Sequence, residues 1–191
     1  MLKNQHLYLA VVFVCTSVVF TTAQECSLKP EQAPVVRGFR LGMTTEEVRE
    51  KVTGVGGLDK ADELGMAETT IYPFQLKSKD DAQNLQYVRL SFLDGRLTDI
   101  ELRYDGLTKW DGVDQFAAKL SESLQLPKMS RGRFGVLNRR ARTLECGGFR
   151  VQAMLVEDNR GALTLSEEGV KEIVEKRKAE VKEKHRQTFK P

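Results

Sequence analysis

The residues able to do chemistry are few in this chain of 191 residues. It holds three cysteines and two histidines. Thiol catalysis needs a base beside the sulfur. Cys15 and His6 fall in an apolar N-terminal stretch. That leaves Cys26, Cys146 and His185, and His185 lies in a highly charged tail, so no Cys–His pair emerges. Asp99 and Glu101 alternate along one segment, and paired carboxylates can serve as acid and base. This is the one route the sequence offers to a hydrolase with an unconventional site. Glu46 and Glu47 are better read as first-turn acids facing a helix dipole. Gly54-Val55-Gly56-Gly57 lacks the Lys and following Ser/Thr that phosphate binding needs. The acids around Asp158 lack the alternating pattern of a calcium loop. No nucleophile elbow or His-rich ligand set is present. The expectation is therefore no catalytic residue, no metal ligand and no cofactor.

A binding surface has more support. Lys128 to Arg142 (KMSRGRFGVLNRRAR) carries six basic residues and no acid, with Phe134 interleaved. Lys128, Arg131, Arg133, Arg139, Arg140 and Arg142 form a candidate contact surface for an acidic protein or an anionic envelope component. The alternative is a solvated strand and loop near the acidic connector 59–68.

The start of the chain says where such a partner would be met. Lys3 and the α-amino group give a positive start, Leu7 to Phe20 is apolar or small, and Thr21-Thr22-Ala23 follows. These are the parts of a cleavable secretion signal spanning 1–23. The run is short of the roughly 20 residues that cross a bilayer, although a retained anchor stays open. Neither Cys15 nor Cys26 is preceded by the small residues of a lipid attachment site. Losing Lys3 lowers the formal net charge from +3 to +2, near balance, which disfavours a dedicated polyanion binder. Export also separates the chain from nucleic acid. The expected location is periplasmic or extracellular, an oxidising place. The two cysteines left after cleavage, Cys26 and Cys146, then have a single possible pairing. Two buried thiols are the alternative.

The elements that must position these residues form one α+β domain, 24–165, in two similar halves (about 37–106 and 107–165). Thr44 and Glu47 make a capping box, with Met43 and Val48 as its hydrophobic staple, for a helix continuing to about Val52. Thr69 to Leu76 reads as an edge strand because Pro73 interrupts it. Leu85–Phe92 and Arg96–Tyr104 form a hairpin. A two-residue turn at Asp94-Gly95 would put acids on its core face, so a three-residue loop, Leu93-Asp94-Gly95, pairing Val88 with Ile100, is expected. Arg89, Ser91, Asp99, Glu101 and Arg103 would line the outer face. A second helix, Asp111 to Leu124, carries Val113, Phe116, Ala117 and Leu120 at helical spacing, with Trp110 as a packing lid. Arg142–Cys146 and Phe149–Val156 form a second hairpin whose two-residue Gly147-Gly148 turn pairs Leu144 with Val151. After a turn at 158–161, Ala162–Leu165 is a strand. Residues 166–191 are an amphipathic, then highly charged, helix from Ser166 to about Arg186.

This order reads as two α-β-β-β halves sharing an antiparallel sheet with helices on one face. The Leu41-Gly42-Met43-Thr44…Val48 entry resembles the start of two kinds of small exported module, the outer-membrane assembly lipoprotein family and the tandem-repeat β-lactamase inhibitor proteins. The resemblance covers about a dozen residues plus the element order. It implies a non-enzymatic protein that binds other proteins through its sheet and loops, and it transfers no binding residue to a numbered position here. The chain lacks the lipobox of the lipoproteins. A passive structural role is the remaining reading.

Overall fold

The computed structural model describes residues 26–58, 60–131 and 141–188. The expected signal, 1–23, lies outside them. In the first half α1 (Thr45–Arg49) precedes β1 (Met66–Ile71), β2 (Leu85–Leu93) and β3 (Arg96–Tyr104). In the second, α2 (Val113–Ser123) precedes β4 (Ala141–Glu145), β5 (Phe149–Leu155) and β6 (Gly161–Glu167). Helix α3 (Val170–Thr188) is the last described element. The strands form one antiparallel sheet in the order β1-β2-β3-β6-β5-β4, so the halves meet at their third strands.

Each element follows from local chemistry. At α1 the Thr44 Oγ1 accepts from Glu47 N (3.2 Å) while Glu47 Oε2 accepts from Thr44 N (2.8 Å), the reciprocal box that starts a helix. The helix is shorter than expected, ending at Arg49. Alternation in the strands sends Val88, Leu90, Phe92, Ile100, Leu102, Val151, Ala153, Leu163 and Leu165 into one buried cluster with Val48 of α1 and Val113, Phe116, Ala117 and Leu120 of α2. Trp110 packs against that cluster, its ring 5.0 Å from Phe116.

Three expected details are corrected. The β2–β3 turn has two residues, Asp94 and Gly95, both left-handed (φ 51° and 76°), with Leu93 opposite Arg96. A bulge at Thr98 then shifts the register, so Leu90 faces Ile100 and Val88 faces Leu102. The extra residue restores the core face that a plain two-residue turn would have lost. Strand β1 begins at Met66, inside the expected connector, because Met66, Ala67 and Glu68 pair with Leu93, Phe92 and Ser91. It ends at Ile71, before Pro73. Helix α3 starts at Val170 because Ser166 and Glu167 are taken into β6, opposite Asp99 and Phe149. The Gly147-Gly148 hairpin has the expected register, Leu144 against Val151.

Each sheet edge is contacted at one point by a neighbouring segment. On β1 the Thr69 hydroxyl donates to Gly56 O (3.3 Å). On β4, Ser130 and Thr143 exchange backbone hydrogen bonds of 2.9 and 2.8 Å. Cys26 and Cys146 are joined in a disulfide with Cα atoms 4.5 Å apart. The bond ties the segment before α1 to the end of β4, where Gly147 N also donates to Leu28 O (2.9 Å). No helix among the described residues is long and apolar enough to cross a membrane.

Candidate functional site: the outer sheet face

Antiparallel pairing across the junction of the halves lines up side chains over all six strands, on the face away from α1 and α2. One row runs Glu68, Ser91, Asp99, Ser166, Arg150, Glu145. The next runs Thr70, Arg89, Glu101, Thr164, Gln152, Thr143. A shorter third row holds Tyr87, Arg103, Ala162, Met154 and Ala141.

Glu101 organises the centre. Its Oε1 accepts from Arg103 Nε (2.7 Å) and from the Tyr87 hydroxyl (3.3 Å), and its Oε2 from Arg89 Nη1 (3.4 Å). The carboxylate side chain is only 17% exposed on a face with no covering layer from α1 or α2. Arg89 also sits 3.4 Å from Glu68 and over the Tyr87 ring, 5.5 Å from its centroid. Cross-strand pairs of this kind hold long side chains in fixed rotamers. Asp99 accepts from the Ser166 hydroxyl, and Arg150 reaches Glu145 (3.4 Å) and Glu168 (4.0 Å).

The carboxylate pair expected to serve a hydrolase is thus spent on neighbours. Glu101 is bound by two arginines, Asp99 by Ser166, and both lie in rows along a sheet rather than converging on a cleft. That removes the observation on which the hydrolase reading rested. Among the described residues no group of three or more His, Cys, Asp or Glu is placed to hold a metal ion.

The basic segment divides. Lys128 and Arg131 lie in the described part, Arg131 exposed, whereas Arg133, Arg139 and Arg140 lie outside the described residues. Arg142 is withdrawn from that surface. It shares the core-facing parity of Leu144, its side chain is 6% exposed, and it makes a two-point pair with Asp114 on the first turn of α2, Nη2 to Oδ2 at 2.7 Å. Its Nη1 also donates to Ala141 O (2.7 Å). Arg142 is therefore a brace between sheet and helix, not a contact residue.

Asp99 and Asp114 have opposite electrostatics. Burial pushes the Asp99 carboxyl above its ordinary range, against the lowering effect of the Ser166 hydrogen bond. The Arg142 hydrogen bonds hold the Asp114 carboxyl below that range. A raised folded pKa gives stability that is complete below the unfolded pKa and is lost as pH rises through the folded one; a depressed pKa does the reverse. Asp99→Asn, which keeps an acceptor for Ser166, is accordingly expected to increase stability at neutral pH and to lose that advantage in acid. Asp114→Asn is expected to lose stability at neutral pH and to match the parent once pH falls below the folded Asp114 pKa. Urea melts of both variants at neutral and acidic pH check the two signs.

Comparison with known proteins adds little to this geometry. No family model matches the chain, and no curated protein sequence matches it. Among solved structures it is similar to a cysteine-rich secretory protein from Staphylococcus aureus, with 12% identity and a TM-score of 0.39, over 75% of this chain and 49% of that one. A likeness at that level carries no inference about fold or function.

Proposed function

We propose that this chain is an exported, non-enzymatic binding module that recognises a partner protein through the outer face of its sheet. The observation that carries the reading is the preset network around Glu101. Tyr87, Arg89 and Arg103 are held in place on rigid strands before any partner arrives. A flat, mixed-charge surface with fixed rotamers loses little side-chain entropy on docking, and arginine and tyrosine are the residues that most often anchor interfaces. The disulfide and the signal-like start support a module that works in an oxidising compartment, periplasmic or extracellular. The modules that the Leu41–Val48 entry resembles bind proteins through their sheet and loops, which supports this reading.

Affinity capture from the native compartment tests this. The parent protein is expected to enrich a discrete partner that Arg89→Glu/Arg103→Glu loses, while Lys119→Glu on the exposed side of α2 keeps it. Equal recovery by all three proteins would show that the sheet face is not the binding surface.

A further inference from the structure

A second surface, separate from the outer sheet face, lies where α3 passes the loop before β1. It is a groove of about 490 Å³, with Glu63 and Leu64 on one wall and Lys178, Val181, Lys182, His185 and Arg186 on the other. Its walls are fixed to each other by Arg177. Nη1 donates to Leu64 O (2.7 Å) and to Asp94 Oδ1 (2.8 Å), and Nη2 to Asp94 Oδ2 (2.7 Å) in the β2–β3 turn. Two-point pairing of this kind sets orientation as well as distance.

The loop is held independently. Asp62 Oδ1 accepts from Leu64 N (2.9 Å) and Met66 N (2.8 Å), and Asp94 N donates to Gly65 O (2.9 Å). Gly65 has to be glycine here. Its φ is +78°, and a Cβ would collide with Asp94 Oδ1 and lie 2.6 Å from Arg177 Nη1. Leu93 of β2 and Val174 of α3 are buried outside the main apolar cluster. The groove is therefore formed before any ligand enters, which lowers the ordering cost of binding.

Its chemistry is specific. Leu64 and Val181 are half-buried and form an apolar floor. Lys178, Lys182 and Arg186 form the rim, against the single acid Glu63. Lys178 is shared with Glu175 (2.9 Å) and Arg186 with Glu183 (3.4 Å), whereas Lys182 has no ion-pair partner among the described residues. We infer that this groove docks an acidic, amphipathic segment of a partner protein, its apolar side chains on Leu64 and Val181 and its carboxylates on the rim. An acyl chain is a poorer fit, since two apolar side chains on an open floor cannot bury it. A nucleic-acid strand is a poorer fit too, because no Phe, Tyr or Trp among the described residues lines the groove for base stacking.

The test uses the oxidised protein and a fluorescein-labelled synthetic helical peptide of Glu and Leu, read by anisotropy. Its controls are a Gln-for-Glu version, an all-Glu peptide and phosphatidylglycerol vesicles. The Glu/Leu peptide is expected to bind, and Lys182→Glu to weaken it about tenfold. Lys182 is exposed and has no ion-pair partner among the described residues, so this variant does not threaten the fold. Val181→Ser is expected to weaken the same peptide without changing the response to the all-Glu control. Arg177→Ala, which frees the two walls, is expected to weaken it while Arg177→Lys restores it only in part. Absence of peptide binding, equal binding of the all-Glu peptide, preferential binding of the vesicles, or indifference to Lys182→Glu would each overturn the inference.

Discussion

Breaking the Cys26–Cys146 bond, by reductant or by Cys146→Ser, is expected to lower the unfolding free energy by about 4 kcal/mol. The bond closes a loop of 120 residues, for which restriction of the unfolded chain gives a ceiling of roughly 4–5 kcal/mol. In a domain of this size that loss corresponds to a fall in Tm on the order of 10 °C. The folded state has its own stake in the bond. Ala33 and Val36 are buried in the core, and Leu28 O accepts from Gly147 beside the half-cystine. Without the bond this segment depends on those contacts alone, so its amides should lose exchange protection before the sheet does. Urea titrations with and without reductant measure the effect. Coincident curves would mean that the bond contributes nothing to stability.

Phe116→Ala should cost about 3–5 kcal/mol, the range for emptying a buried aromatic site. Phe116 is fully buried at the centre of α2's apolar face, edge-on to Tyr104 (5.7 Å between centroids) and tilted against Trp110 (5.0 Å). On its far side the ring rests directly on the backbone of Gly161, at the start of β6. A Cβ there would lie 2.6 Å from Cε2 and Cζ of the ring. Gly161→Ala is thus the overpacking counterpart, expected to cost about 1–3 kcal/mol through displacement of the ring. Because both changes act on one contact they should not add, and Gly161→Ala in a Phe116→Leu background should cost less than in the parent. Thermal melts of Phe116→Leu, Gly161→Ala and the double variant form the cycle. Strict additivity would place the ring elsewhere.

The sheet was legible in the sequence wherever alternation and turn chemistry agreed. Gly147-Gly148 between apolar strands specified the β4–β5 register, and Thr44 with Glu47 specified the start of α1. Cys26–Cys146 was the single pairing left once the signal-like segment was set aside, and the bond itself rested on the expected oxidising location, with two buried thiols as the alternative. The β2–β3 register did not follow, because without a bulge only the three-residue loop fits the parity, whereas the extra residue Thr98, between the buried Leu97 and Ile100, lets the two-residue turn fit. Arg142 could have been placed correctly, since it sits two residues before Leu144 and must share its face. The basic run around it obscured that signal. The outer face was legible in part, as Arg89, Ser91, Asp99, Glu101 and Arg103 on one hairpin, but its continuation to Ser166, Arg150 and Glu145 depends on β3 pairing with β6. The Arg177–Asp94 contact was out of reach because it joins residues separated by 83 positions.

The outer sheet face as a protein-binding surface is the central claim, and site-specific photocrosslinking in the producing cells tests it most directly. A photoreactive residue replaces Ser91, Thr164 or Gln152 on that face, or Lys119 or Glu122 on the exposed side of α2. The three sheet positions are predicted to give one discrete adduct of the same mass, lost on Arg89→Glu/Arg103→Glu, while the helix positions give none. Adducts from the helix positions alone, or none from any sheet position, would contradict the account.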